Sequence, residues 1–176
     1  MNKVWTSKDI SKATKLQVYE TMILSTLLYN LETWTLKTTQ QNRLKVFEMS
    51  CLRKIEGVTR RDHIRNEDIF DRLKLSRDIH SRIQQRRLRY FGHVSRMGQD
   101  RYPKLALEGY VHGQRGRGRS KKRWLDVARS DCADMGLTVH DAIHLAQDRD
   151  AWRRSIAKLP LRAPAWEHRQ GTKSSK

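Results

Sequence analysis

Residues 82–124 constrain this chain more than any other stretch, because they combine a concentrated positive charge with a glycine-rich break. Residues 82–129 contain 14 Lys or Arg and 3 Asp or Glu, which is a net charge of +11 out of +18 for the whole chain. Such a dense field of one sign implies a polyanionic partner, and nucleic acid is the commonest polyanion. The stretch therefore predicts binding to RNA, to DNA or to both.

The remaining composition favours small helical cores in a reducing compartment. Hydrophobic residues make up 37% of the chain and charged residues 32%, which is more polar than an average globular domain. Cys51 and Cys132 are far apart and lack a C-x-x-C partner, so a disulfide framework is not expected. The longest apolar run, residues 22–29, is interrupted by polar residues and is too short to span a membrane. We expect a nuclear or cytoplasmic protein without a membrane partner; its oligomeric state stays open.

Apolar residues recur at helical spacing along the chain, and this pattern predicts an all-α fold. The clearest helix carries Leu44, Phe47, Cys51, Leu52 and Ile55 on one stripe, with Gly57 as its C-terminal cap. Residues 32–39 and 104–110 are short enough to be strands instead. The predicted N-terminal caps of the other helices are Ser7 or Ser11, Asn66, Ser76 (for a helix to about Met97), Ser120, Thr138 with Asp141, and Asp148.

The helix predicted from Ser76 presents a basic stripe beside an apolar one. At about 100° per residue, its basic residues fall within about 40° of one another, while an apolar set clusters near 100° from them. A solvated face is the usual explanation of such a stripe. Here the charges share one sign and repel unless an anion neutralises them, which favours phosphate binding. The stripe consists of Arg82, Arg86, Arg89, His93 and Arg96.

The run that follows alternates glycine with arginine and should be a loop, because glycines inside it oppose a stable helix. Guanidinium groups make forked hydrogen bonds to phosphate oxygens, and glycine lets the backbone approach closely. The run also resembles the centre of an AT-hook, although Ser120 stands where the hook has proline. A nuclear import signal and a mobile linker are further interpretations. The candidate binding residues here are Arg115, Arg117, Arg119, Lys121, Lys122 and Arg123.

No catalytic residue, metal ligand or cofactor is predicted for this chain. A polymerase holds two metal ions with closely spaced carboxylates, and this sequence contains no adjacent aspartate pair. No glycine-rich phosphate loop ending in Lys-Ser or Lys-Thr occurs either. His140 and His144 have a spacing that suits zinc, but they lack the intervening glutamate of a metalloprotease helix and are expected to be surface or capping residues.

Several short blocks, in this order, resemble the C-terminal part of non-LTR (LINE-type) retrotransposon reverse transcriptases, in the branch that begins with an apurinic-type endonuclease. Each block is short, and the ordered set covers residues 5 to about 156. The blocks are Trp5 with Ser11-Lys-Ala-Thr-Lys15; Leu27-Leu-Tyr29 with Glu32-Thr-Trp34; Cys51-Leu-Arg-Lys-Ile55; Leu88-Arg-Tyr-Phe-Gly-His-Val94 with Arg96-Met97; the Gly-Arg-Gly-Arg-Ser-Lys-Lys-Arg-Trp run; and Ala146-Gln-Asp-Arg149 with Trp152-Arg153.

The resemblance implies a thumb that packs beside the primer–template duplex and a basic extension that holds RNA or DNA. The magnesium-binding palm of such an enzyme has no counterpart here, so the chain by itself is expected not to be an enzyme. Asn30 stands where relatives have glycine, a cysteine knuckle is missing, and Met1 just before the thumb-like segment predicts a truncated or mis-predicted reading frame. The expected divisions are a thumb-like segment 1–60, a helical connector with the basic helix 61–97, a Gly/Arg loop region 98–123, a C-terminal helical unit 124–159 and a disordered tail 160–176.

Three other functions remain open at this stage. The chain could serve as a thumb in trans for a separate reverse-transcriptase core, or as a host-used adaptor that binds protein. It could also be a decayed fragment without a selected role.

Overall fold

The computed structural model describes residues 4–5, 7–109 and 122–159, and over these ranges the chain is helical with no strand. The predicted all-α class is confirmed. Helix α1 begins as Lys12–Val18, continues as a π-helical segment Tyr19–Leu24 and ends with Ser25–Leu27. The other helices are α2 (Thr38–Glu56), α3 (Asn66–Arg72), α4 (Ile79–Ser95), α5 (Tyr102–Glu108), α6 (Trp124–Ala133), α7 (Val139–Gln147) and α8 (Arg149–Ala157).

Several predicted helix ends are confirmed, because they depend on side chains close in sequence. The Ser11 hydroxyl accepts a hydrogen bond from the Thr14 amide at 3.1 Å and caps α1. Gly57 follows α2 with φ +80°, the left-handed conformation that a glycine cap supplies. The Thr138–Asp141 capping box and the Asp148 cap open α7 and α8.

Other predicted boundaries were wrong. Asn66 does not cap α3, because its side-chain oxygen accepts from the Arg53 guanidinium at 2.8 Å. The basic helix begins two residues later than predicted, because Asp78 rather than Ser76 caps it by accepting from the Ser81 amide at 2.9 Å. It ends at Ser95.

Among the described residues of the two ambiguous passages neither forms a strand, and helical turns occur in both, while residues 34–37 and 109 have no regular structure. Residues 31–33 form a 3-10 turn, and residues 102–108 form α5. The cap predicted at Ser120 lies outside the described residues.

Helix α4 joins two hydrophobic cores. Its first half contributes Ile79 and Ile83 to a core built with α1, α2 and α3, whose other fully buried members include Leu52, Ile55 and Ile69. Its second half contributes Leu88, Phe91 and Val94 to a second core with Ala128, Cys132, Ala142, Ala146, Trp152 and Ile156 from α6, α7 and α8. Helix α4 thereby packs against both the N-terminal and the C-terminal helices.

Hydrogen bonds tie the two halves together beyond α4. The Arg77 guanidinium donates to the Ala157 carbonyl at 3.2 Å, and the Trp124 indole donates to the Glu32 carbonyl at 2.7 Å. The predicted tail 160–176 lies outside the described residues. None of the helices that the structure describes has both the length and the apolar character to cross a bilayer.

Candidate nucleic-acid interface

A basic cleft lies between α4 and α8. Its volume is about 720 Å³, and none of its seven lining residues is acidic. Helix α4 and its C-terminal cap supply Arg89, His93 and Arg96, and α8 supplies Arg149, Trp152, Arg153 and Ile156. The arrangement brings four guanidinium groups to one concave surface, which suits a phosphate chain.

Local sequence on α8 explains how that helix presents its two arginines. The Asp148 carboxylate accepts hydrogen bonds from the Asp150 and Ala151 amides and so caps α8. Arg149 is therefore the first residue of the helix. Arg153 follows four residues later and shares its face. Trp152 and Ile156 are buried and form the apolar floor of the cleft.

The floor is set by a close contact with α4. The indole nitrogen of Trp152 donates to the Leu88 carbonyl at 3.0 Å, and the ring lies directly over Gly92. Because Gly92 has no side chain, α8 can approach α4 closely enough for the arginines of both helices to line one cleft.

Arg96 is held at one end of the cleft by a backbone contact. Its guanidinium donates to the Ala146 carbonyl at 2.6 Å, in the last turn of α7. Burial lowers the pKa of Arg96, and the positive charge of Arg149 lowers that pKa further. An anion between these two guanidinium groups would relieve their repulsion.

The predicted basic stripe is divided between two environments. Arg82 forms an ion pair with Glu20 at 2.8 Å, and Arg86 donates to the Leu28 carbonyl at 2.6 Å just beyond the end of α1. These two arginines therefore contact the N-terminal helices, and the cleft lining does not include them. Arg89 and His93 are exposed, and together with Arg96 they line the cleft.

The binding residues predicted on the Gly/Arg loop either lie away from the cleft or fall outside the residues that the structure describes. Arg115, Arg117, Arg119 and Lys121 fall among residues that the structure does not describe. Lys122 and Arg123 are exposed, and Arg123 is paired with Asp126 at 3.5 Å. Neither residue lines the α4–α8 cleft.

Sequence reasoning missed Arg149 and Arg153, although a signal was available. Arg149 directly follows the predicted Asp148 cap, and Arg153 lies four residues further along the same predicted helix, next to Trp152. The distribution of charge along the chain does not point to them, because residues 130–176 carry 8 Lys or Arg against 6 Asp or Glu, a net charge of only +2.

A second basic hollow was missed as well. It lies along α2, has a volume of about 810 Å³, and its lining contains four cations and no carboxylate: Lys45, Arg53, Lys54 and Arg60. Its Arg53 guanidinium already donates to the Ile64 carbonyl and to Asn66. The hollow therefore offers fewer free donors than its cation count suggests.

Comparison with known proteins gives one informative similarity. The chain is 26% identical over 165 residues to an uncharacterised transposon-derived protein of Caenorhabditis elegans, and the match covers 89% of this chain. It spans 59% of that relative's length. No protein-family model matches the chain, and no solved structure matches it. The similarity supports a transposon-related origin.

Proposed function

We propose that this chain is a nucleic-acid-binding, C-terminal part of a non-LTR retrotransposon reverse transcriptase, and that it grips the sugar–phosphate backbone of RNA or DNA. In this proposal the chain performs no catalysis itself, since it carries no adjacent aspartate pair for metal ions. The observation that carries the proposal is the α4–α8 cleft, where four arginines converge without a carboxylate.

The chemistry of the cleft suits backbone contacts rather than base readout. Guanidinium groups form paired hydrogen bonds to phosphate oxygens. Trp152 is buried against Gly92, so its indole offers no exposed face on which a base could stack. The exposed imidazole of His93 is then the one accessible ring in the cleft lining, beside four guanidinium groups. We therefore expect affinity to depend little on base sequence.

Two structural details agree with the retrotransposon assignment. Asn30, which stands where the family has glycine, has φ +57°, a left-handed conformation that asparagine tolerates better than most residues. Gly92 and Trp152 belong to separate blocks of the resemblance and are in direct contact. The transposon-derived relative, which matches across most of the chain, supports the same origin.

Fluorescence anisotropy at several salt concentrations tests the proposal. If about six phosphates are neutralised, the logarithm of the binding constant should fall with the logarithm of salt at a slope near −5 to −6 on duplex DNA. The same measurement on single-stranded DNA and on RNA compares the three forms. A slope near zero on all three would contradict nucleic-acid binding.

An apolar groove favours a second candidate function, which is binding to a protein such as a separate reverse-transcriptase core or a host partner. Tyr29 is 82% exposed and Trp34 is 57% exposed, although both are large and apolar. They line a groove of about 320 Å³ with Leu27, Leu31, Leu36, Gln40, Arg43 and Leu44. Clustered exposed aromatic residues are typical of protein interaction sites.

Separate variants distinguish the two functions. Trp34→Ala should abolish capture of a reverse-transcriptase core, and primer extension with that core, while it leaves the salt slope for duplex DNA unchanged. If the wild-type chain captures no reverse-transcriptase core from a nuclease-treated mixture, binding to such a core is contradicted.

A further inference from the structure

We propose that His140 and His144 form a binding site for a divalent transition-metal ion such as Ni²⁺, Cu²⁺ or Zn²⁺. The two histidines lie on consecutive turns of α7, and both are exposed. Their Nε2 atoms are 3.2 Å apart. The site is independent of the nucleic-acid-binding proposal, because neither histidine lines the α4–α8 cleft.

The distance between the two nitrogens fits a shared metal ion. Imidazole nitrogens bind zinc at about 2.0–2.1 Å. Two nitrogens 3.2 Å apart can both reach one ion at that distance if the N–metal–N angle is about 100°. This angle lies between the right angle of octahedral coordination and the tetrahedral angle, so the distance is compatible with both common geometries.

The backbone that presents the histidines is well fixed. Thr138 and Asp141 form a capping box at the start of α7, and on the opposite face Ala142 and Ala146 are fully buried against the C-terminal core. The rings therefore need no folding step to reach the binding geometry, which lowers the entropic cost of binding.

The chemical requirement is a change of tautomer. The present contact between the rings is a hydrogen bond in which one Nε2 carries the proton. Metal binding needs both Nε2 lone pairs, so the donating ring must move its proton to Nδ1, where the accepting neutral ring already carries its own. The metal ion then takes the position between the two Nε2 atoms that the proton occupied, and it links one turn of α7 to the next.

The class of metal follows from the ligands. Two imidazoles favour Ni²⁺, Cu²⁺ and Zn²⁺ over Mg²⁺ and Ca²⁺, which prefer oxygen. Among the described residues no group of three or more His, Cys, Asp or Glu side chains is close enough to hold an ion. The described residues thus supply two imidazoles and leave the other positions open to water molecules, and we expect a weaker site than a four-ligand structural zinc site.

Calorimetric titration of the full chain with Ni²⁺, on protein prepared without a histidine tag, tests the proposal. The wild type should bind a nickel ion that His144→Ala and His140→Ala each lose or bind more weakly. The loss should at least match the about 10–100-fold that removal of an outer-shell partner costs at metal sites. Mg²⁺ should produce no comparable heat.

A matched control and a second readout complete the experiment. His63→Asn removes another exposed histidine at a left-handed position that asparagine tolerates, and it should bind nickel like the wild type. Ni²⁺ should also raise the melting temperature of the wild type more than that of His144→Ala, since binding to the folded state stabilises it. Equal nickel binding and equal thermal shifts in the wild type, His140→Ala and His144→Ala would overturn the proposal.

Discussion

The indole of Trp152 occupies the space that a side chain on Gly92 would need. A β-carbon at residue 92 would lie 2.2 Å from the indole nitrogen, which is far inside contact distance. That nitrogen donates to the Leu88 carbonyl one turn earlier on α4. The pair therefore sets the approach of α8 to α4, and with it the width of the basic cleft.

Gly92→Ala should destabilise the protein. Overpacking of a core costs about 1–3 kcal/mol, which outweighs the about 1 kcal/mol that alanine gains over glycine inside a helix. Gly98→Ala is a suitable control, because a β-carbon there would meet only the side chain of Asp100. Urea unfolding followed by circular dichroism measures both variants. A Gly92→Ala protein at least as stable as the wild type would show that α8 does not pack on α4 in this way.

Glu48→Gln should stabilise the protein at alkaline pH. Burial raises the pKa of Glu48 to about 7 from its ordinary value of 4.5, even though its carboxylate accepts a hydrogen bond from the Ile79 amide at 3.1 Å. The folded state therefore binds this proton more tightly than the unfolded state. The resulting stability is complete below about pH 4.5 and is lost as the pH rises through about 7.

Glutamine can accept the same hydrogen bond without a charge, so the gain at pH 8 should reach up to about 3 kcal/mol. The gain should disappear near pH 4. Chemical denaturation at the two pH values measures it. If Glu48→Gln were less stable than the wild type at pH 8, the charge at the start of α4 would be stabilising through the helix dipole instead.

Arg87→Ala should be strongly destabilising, because it removes the cation that pairs with the buried carboxylate of Asp131. The side chains of Arg87 and Asp131 are 7% and 3% exposed and pair across α4 and α6, with one N–O distance of 2.9 Å. Removing one partner of a buried pair costs about 3–5 kcal/mol. The double variant Arg87→Met with Asp131→Leu should recover most of that loss, as urea unfolding of both proteins can show. An Arg87→Ala protein as stable as the wild type would mean that the pair does not hold α4 to α6.

Sequence predicted the parts of this fold that depend on neighbouring residues. The Ser11 cap, the Gly57 cap and the Thr138–Asp141 box are each encoded within four residues, and the structure has all of them. The all-α class follows from apolar periodicity along α1, α2 and α4, which is similarly local.

The hydrogen-bond partners of the arginine side chains on α4 could not be predicted in the same way. Helical angles place Arg82, Arg86 and Arg96 on one stripe, but their partners come from distant parts of the chain. The carbonyl that binds Arg86 belongs to Leu28, 58 residues away, and the one that binds Arg96 belongs to Ala146, 50 residues away. Tertiary packing brings each carbonyl to a particular arginine, and periodicity within one helix carries no information about that packing.

The measurement that tests the central claim most directly is the salt slope of duplex DNA binding for two matched double variants of α8. Arg149→Gln with Arg153→Gln removes two cleft cations, whereas Arg154→Gln with Lys158→Gln removes two exposed cations at the same spacing that do not line the cleft. The first pair should weaken binding and reduce the log–log slope by about 1.8, at about 0.9 for each phosphate contact on duplex DNA, and the second pair should leave the slope close to the wild type. Equal losses in both pairs, or no loss in the first, would contradict the cleft as the nucleic-acid-binding site.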